Sequence, residues 1–202
     1  KVRICELNIY HIVRLCELKH GGAAMSEAEY SIGRLCGVTF AGLKPASLVN
    51  LRRGDRHTVA RLARCFRRRG FSFVILRETD ERQTLYIYHA EKLGRVLFSD
   101  AVKEFLHARG YRYSSVSEAI ANLKERMAGE FPHEIGVFLG YPLDDVRGFI
   151  ENPHGGKVCG TWKVYGDEAQ AEKAFERFRR CSACICRHMD SGKSLTQIFN
   201  VG

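Results

Sequence analysis

Proline is scarce in this chain, at 4 of 202 residues, and the 19 glycines follow no repeat, so collagen-like and mucin-like architectures are excluded. Long apolar runs are missing as well. No stretch approaches the ~18 residues of a membrane span, and Glu6, His11, Arg14 and Glu17 interrupt any signal core behind Lys1 and Arg3. The expected setting is therefore cytoplasmic, with no membrane partner. Neither common Gly-rich phosphate loop occurs, which argues against nucleotide hydrolysis. Acidic residues are the minority charge: 23 Asp and Glu face 32 Lys and Arg, a balance of +9 that permits a polyanionic partner without identifying one. Eight irregularly placed cysteines without an export signal read as reduced thiols rather than a disulfide framework. The rest is ordinary for a globular chain, 45% hydrophobic and 27% charged, which excludes wholesale disorder. At this length about 70% of the unfolded chain's surface is buried on folding, as one domain.

The first methionine is Met25, after Lys19-His20-Gly21-Gly22-Ala23-Ala24. His-Gly-Gly can be encoded by a purine-rich stretch resembling a bacterial ribosome-binding site. Residues 1–24 are thus expected to be either a non-native extension or an extra helix with the stripe Ile4, Leu7, His11, Leu15 and Leu18. Residues 25–202 then form the single domain. Ser26 and Glu29 make a capping box for a helix that Gly37 should end. A short strand is expected near 47–51, then a basic amphipathic helix over 58–69, with Val59, Leu62 and Phe66 on one face and Arg61, Arg64 and Arg68 on the other. Residues 71–77 and 83–88 read as a β-hairpin. Helices are expected over 100–109, over 116–127 with Ser115 and Glu118 as a second capping box, from Asp144 or Asp145 to about Ile150, and over 168–188 behind Asp167. Buried strands are expected at 135–139 and 161–165, and a last short apolar element at 195–199. The fold class is α/β (α+β): a mixed sheet of about five strands, the hairpin among them, covered by helices.

The stretch Phe131-Pro-His-Glu-Ile-Gly-Val-Phe-Leu-Gly-Tyr-Pro-Leu-Asp-Asp-Val-Arg-Gly-Phe-Ile-Glu151, with Cys159-Gly-Thr-Trp-Lys-Val-Tyr-Gly-Asp167, resembles domain-of-unknown-function family 3793, small proteins found mainly in anaerobic Firmicutes. The resemblance continues in Cys36, in Thr39-Phe-Ala-Gly-Leu-Lys-Pro-Ala-Ser-Leu48, in the hairpin and in Gly192-Lys-Ser-Leu195, covering residues 31–198. It departs at Cys36-Gly-Val-Thr39, where a Cys-Ala-Pro-Thr-like stretch is expected. It implies no particular activity. The anaerobic setting implies a protein that binds a metabolite or cofactor in redox metabolism, as an accessory to a flavin or metal system, with a small metabolite or a redox protein as partner. No residue pattern names the cofactor or decides whether the chain is an enzyme.

Candidate chemistry falls in four places. On a strand, His133 and Glu134 point to opposite faces, and the Glu134 face carries Gly136 and Gly140, which leave room for a ligand or a close-packed helix. Tyr141 at that strand's end, Lys163 and Tyr165 from the next, and His154 in a closing loop complete a proposed ligand pocket. Lys44, in the turn before Pro45, is a separate candidate for holding an anionic substrate group, against a plain surface role. Asp144 and Asp145 read as caps. Cys181, Cys184 and His188 share a helix face and have the residue types of a zinc site, with Cys159 or His154 as the fourth ligand, against a plain packing role. The Arg52–Arg69 segment offers a nucleic-acid or anion-binding alternative, although it lacks exposed aromatics for base stacking and a solvated face explains it more simply. The third alternative is a structural partner protein without a ligand.

Overall fold

Leu85 and Ile87 alternate with Tyr86 and Tyr88 along one strand, and all four are buried, so the sheet that holds them needs a cover on both faces. The computed structural model describes residues 25–201, and the expectations for residues 1–24 lie outside them. Strands β1 (Ala46–Arg52), β2 (Phe71–Glu78) and β3 (Arg82–His89) form a three-stranded antiparallel sheet in the order β1-β3-β2. The register runs from Ala46 opposite Tyr88 to Arg52 opposite Arg82, and a bulge interrupts the β2–β3 hairpin between Ile75 and Arg77.

One face packs Val49, Leu51, Leu85 and Ile87 against α1 (Glu27–Phe40), α2 (Arg56–Arg67), α8 (Glu168–Asp190) and α9 (Leu195–Ile198). The other packs Ala46, Leu76, Tyr86 and Tyr88 against α3 (Ala90–Leu97), α4 (Asp100–Ala108), α5 (Val116–Arg126), α6 (Ile135–Phe138) and α7 (Leu143–Glu151). Two short strands, β4 (Val158–Cys159) and β5 (Lys163–Val164), pair only with each other. The expected mixed sheet of five strands is therefore corrected to a separate three and two, both antiparallel. No helix among the described residues is long and apolar enough to cross a membrane.

Two further expectations are corrected, and one helix is added. Residues 135–139 form the one-turn helix α6 rather than a strand: four consecutive buried residues carry no period, and a short apolar run fits a buried helix turn as well as a strand. Pro132 opens the turn and Gly140, at φ +77°, closes it, with the Tyr141 N–H donating to the Gly136 carbonyl at 2.9 Å. Gly37 does not end α1 but sits inside it, where a Cβ would meet Ile185 Cδ1 at 2.6 Å. Gly33 stands in the same relation to Met189, so the pair lets α8 lie close against α1. Residues 90–97, given no element above, form α3, capped by His89 Nδ1 accepting from the Lys92 N–H at 3.4 Å.

The Ser26–Glu29 cap is half formed. Ser26 Oγ accepts the Glu29 N–H at 3.2 Å, but the Glu29 carboxylate turns inward, accepting from the Leu195 N–H at 2.9 Å and from the Arg61 guanidinium. That buried carboxylate ties α1, α2 and α9 together. Tyr86 Oη likewise donates to the Phe138 carbonyl at 2.7 Å and fixes α6 on the sheet.

Gly140 packs against Pro45 at the entry to β1, a Cβ there meeting Pro45 Cγ and Cδ at 2.4 Å. Strain at positive φ and this overlap together predict that Gly140→Ala costs about 3 kcal/mol in urea unfolding. Gly54→Ala, with nothing within 4 Å of its Cβ, changes stability by less than about 0.5 kcal/mol. Equal effects from the two substitutions would contradict this packing.

Candidate functional site

β1 is an edge strand, so half of its backbone groups face away from the sheet. The Pro45 carbonyl accepts from the His89 N–H and the Arg53 N–H donates to the Glu81 carbonyl, both at 2.9 Å, so odd-numbered positions between them bond to β3. The N–H and C=O of Leu48 and Asn50 therefore point outward, and no backbone partner among the described residues takes them.

Beside that edge lies a cavity of about 250 Å³. Arg34, Leu35 and Val38 of α1 and Phe178 and Ser182 of α8 line one side of it. Phe131, Leu139 and Tyr141 line the other, and Leu48, Asn50, Thr84 and Arg77 supply the sheet wall. The ladder explains that wall: Asn50 pairs with Thr84 and Thr84 with Arg77, which puts the three side by side. No Asp or Glu is among the lining residues.

Lys44, in the turn between α1 and β1, reaches this cavity and is only 8% exposed. Its Nζ stands 5.0 Å from the centre of the Tyr141 ring, and no carboxylate or carbonyl among the described residues takes it. Burial holds the ammonium down from 10.5 to about 8, opposed by the neighbouring Cys36, whose own thiol burial pushes up to about 12 and keeps protonated. Tyr141 Oη donates to the Thr161 carbonyl at 3.4 Å, and its ring stacks on Trp162 at 5.0 Å between centroids.

The other expected ligand residues divide: His133, Gly136 and Lys163 meet Tyr141 at a second cavity, whereas Glu134, His154 and Tyr165 line neither. Once 135–139 is a helix, Glu134 leaves the pocket: it accepts from Tyr111 Oη at 3.1 Å and lies 3.5 Å from Arg126, closing a separate buried network. Burial and that carboxylate raise Tyr111 well above the usual phenol range. Gly136 and Gly140 are filled by Val146, Tyr141 and Pro45 rather than open. His133 and Lys163 border a second, smaller cavity of about 50 Å³, where His133 meets Phe149 edge-on and Lys163 Nζ donates to the Pro153 carbonyl at 2.5 Å. Tyr165 Oη donates to the Asn152 carbonyl at 2.5 Å, which ties the 152–157 loop down, and His154 on that loop is exposed and lines neither cavity.

Asp145 is not a cap. It accepts from Trp162 Nε1 at 2.7 Å, the Tyr165 N–H at 2.7 Å and the Gly166 N–H at 2.8 Å, and so clamps the β4–β5 hairpin onto α7.

On α8 the stripe Cys181, Ile185 and Met189 faces α1, which turns Cys184 and His188 outward. Among the described residues no three His, Cys, Asp or Glu side chains gather as a metal ion requires. Cys36, Cys65, Cys181, Cys184 and Cys186 are free thiols, whereas Cys159 is disulfide-bonded, which corrects the reduced-thiol expectation there and removes it as a ligand. On α2, Arg61, Arg64 and Arg68 are exposed as expected. Arg61 pairs with Glu29, Arg53 and Arg56 pair with Glu78, and Arg69 donates to the Phe199 carbonyl at 2.6 Å.

The family model described as Protein of unknown function (DUF3793) matches residues 32–199, all of the sheet and both helical layers. The chain belongs to that family. No curated protein and no solved structure matches it. The DUF3793 match spans every residue that lines the Lys44 cavity.

An ammonium whose pKa is lower in the folded than in the unfolded chain binds fewer protons when folded. The stability it costs is therefore fully lost below about 8 and recovered as the pH rises to 10.5. Lys44→Met is expected to be more stable than the native chain by up to roughly 3 kcal/mol near pH 7, with the gap closing toward pH 10.5. Urea unfolding across that range measures it. A destabilised Lys44→Met near neutral pH would show that Lys44 is a structural cation.

Proposed function

We propose that this protein binds a small organic anion, a metabolite of a few carbons, in the Lys44 cavity. The observation that carries the reading is a buried cation with no partner among the described residues, at the wall of a cavity that has room for one. An ammonium held near 8 is still mostly charged at neutral pH, and a buried charge without a counter-ion is costly unless a ligand supplies one. Arg34 and Arg77 add positive charge to the walls, and the outward N–H groups of Leu48 and Asn50 add directional donors. Leu35, Val38, Phe131, Leu139 and Phe178 provide the apolar surface that a carbon skeleton requires.

Size narrows the class. A cavity of about 250 Å³ falls below the roughly 300–1,000 Å³ of clefts that hold drug-sized ligands, which favours a short carboxylate or phosphate ester over a flavin or dinucleotide. Four charged or titratable groups face Lys44 or share its cavity: Cys36 and Arg34 from α1, Arg77 from β2, and Tyr141 after α6. Burial pushes the Cys36 thiol up to about 12 and raises the Tyr141 phenol, so neither gains charge where the Lys44 ammonium loses it.

Calorimetric titration with a series running from acetate and pyruvate to citrate and inorganic phosphate tests the proposal. At least one anion is expected to bind, with affinity falling about tenfold per pH unit above the Lys44 midpoint and about 100-fold in Lys44→Met. Binding that Lys44→Met leaves intact, or no binding by any member of the series, overturns it.

A further inference from the structure

We infer that Lys44 captures the carbonyl carbon of its ligand as an imine, so that the site's ligand class is narrowed to 2-oxo acids and related carbonyl-bearing anions. This inference rests on the anion-binding reading above and adds a covalent step to it. A buried ammonium that serves the fold is paired with a carboxylate or carbonyl. Lys44 has instead an aromatic face and a neighbouring protonated thiol, and no acceptor among the described residues. Burial without a counter-charge favours the neutral amine, and the neutral amine is the nucleophile.

The geometry admits the reaction. Lys44 lines the cavity of about 250 Å³, and the outward N–H groups of Leu48 and Asn50 along the β1 edge are donors for a ligand's carboxylate. The lone pair of Nζ forms a bond to the carbonyl carbon, giving a carbinolamine. That intermediate loses its oxygen as water, both hydrogens of the water coming from the amine, and leaves a C=N bond. Oxidant and reductant are not required. Once protonated, the imine is again a cation 5 Å-class distant from an aromatic face, an environment that Tyr141 already provides for the ammonium at 5.0 Å.

The test incubates the intact protein with pyruvate and sodium cyanoborohydride near the Lys44 midpoint, followed by mass spectrometry of the whole chain and its peptides. Reduction fixes the imine as a secondary amine whose added mass equals pyruvic acid less one oxygen atom. The expected result is one addition, at Lys44, formed at least about tenfold faster than at the exposed Lys103, because burial lowers the Lys44 ammonium and the cavity holds the ligand beside it. Acetaldehyde, which lacks the carboxylate, should label Lys44 more slowly than pyruvate. Lys44→Arg removes the nucleophile and should lose the label at that position. Pyruvate that binds in the titration but labels Lys44 no faster than Lys103 overturns the imine and leaves anion binding standing. Loss of anion binding itself removes both readings.

Discussion

A three-stranded sheet is narrow. Its outer strands lie roughly 10 Å apart, about the diameter of one helix, whereas each face here carries several. The two helical layers must therefore overhang the sheet, and among the described residues no fourth strand fills the overhang at β1. The cavity is the space between those overhanging layers, floored by the unpaired edge of β1. The same constraint places Lys44: the chain leaves α1 on one layer and must enter β1 at that edge, so the turn joining them lies at the mouth of the gap. Gly140 against Pro45 closes the turn from the opposite layer, and Tyr141 follows from the same contact.

Among the buried charges, Lys44 is set apart by what it lacks. Glu29 has a backbone N–H and Arg61, Glu134 has Tyr111 and Arg126, and Asp145 has three N–H donors. Each of those carboxylates joins elements distant in sequence and is satisfied by what it joins, so they serve the fold. Among the described residues, Lys44 joins nothing with its Nζ except the Tyr141 ring face. A charge retained inside a protein at a cost in stability, beside a cavity, is a pattern that folding alone does not account for.

Elements announced by local signals were legible in the sequence. The β2–β3 hairpin shows aromatic and β-branched runs on either side of a polar stretch, α5 and α8 open on Ser115 and Asp167 side chains that accept from the third residue beyond, and α2 shows its buried Val59, Leu62 and Phe66 at helical spacing. The family resemblance also held over nearly the whole sheet and both layers. What escaped was set by distant contacts. Residues 135–139 are buried on all sides and so lose any period, and Glu29 has the spacing of a capping box yet is drawn away by Leu195, 166 residues on. Lys44 and Tyr141 were both legible as candidate ligand residues, but their meeting was not, because α1, β1, the α6 turn and α8 converge only through the overhang. Arg34, Arg77 and Asn50 carried no signal of their own: each looks like an ordinary surface residue until the free edge of β1 is known.

The central claim is that Lys44 carries a buried, unpaired amine that an anionic ligand completes. Nitrogen-15 NMR of the lysine side chains measures that amine directly, following the Lys44 Nζ resonance through a pH titration in the free protein and again with a saturating anion. The account predicts a midpoint near 8 in the free protein that moves upward once the anion is bound. A midpoint near the ordinary 10.5 in the free protein, unmoved by any anion, would contradict it.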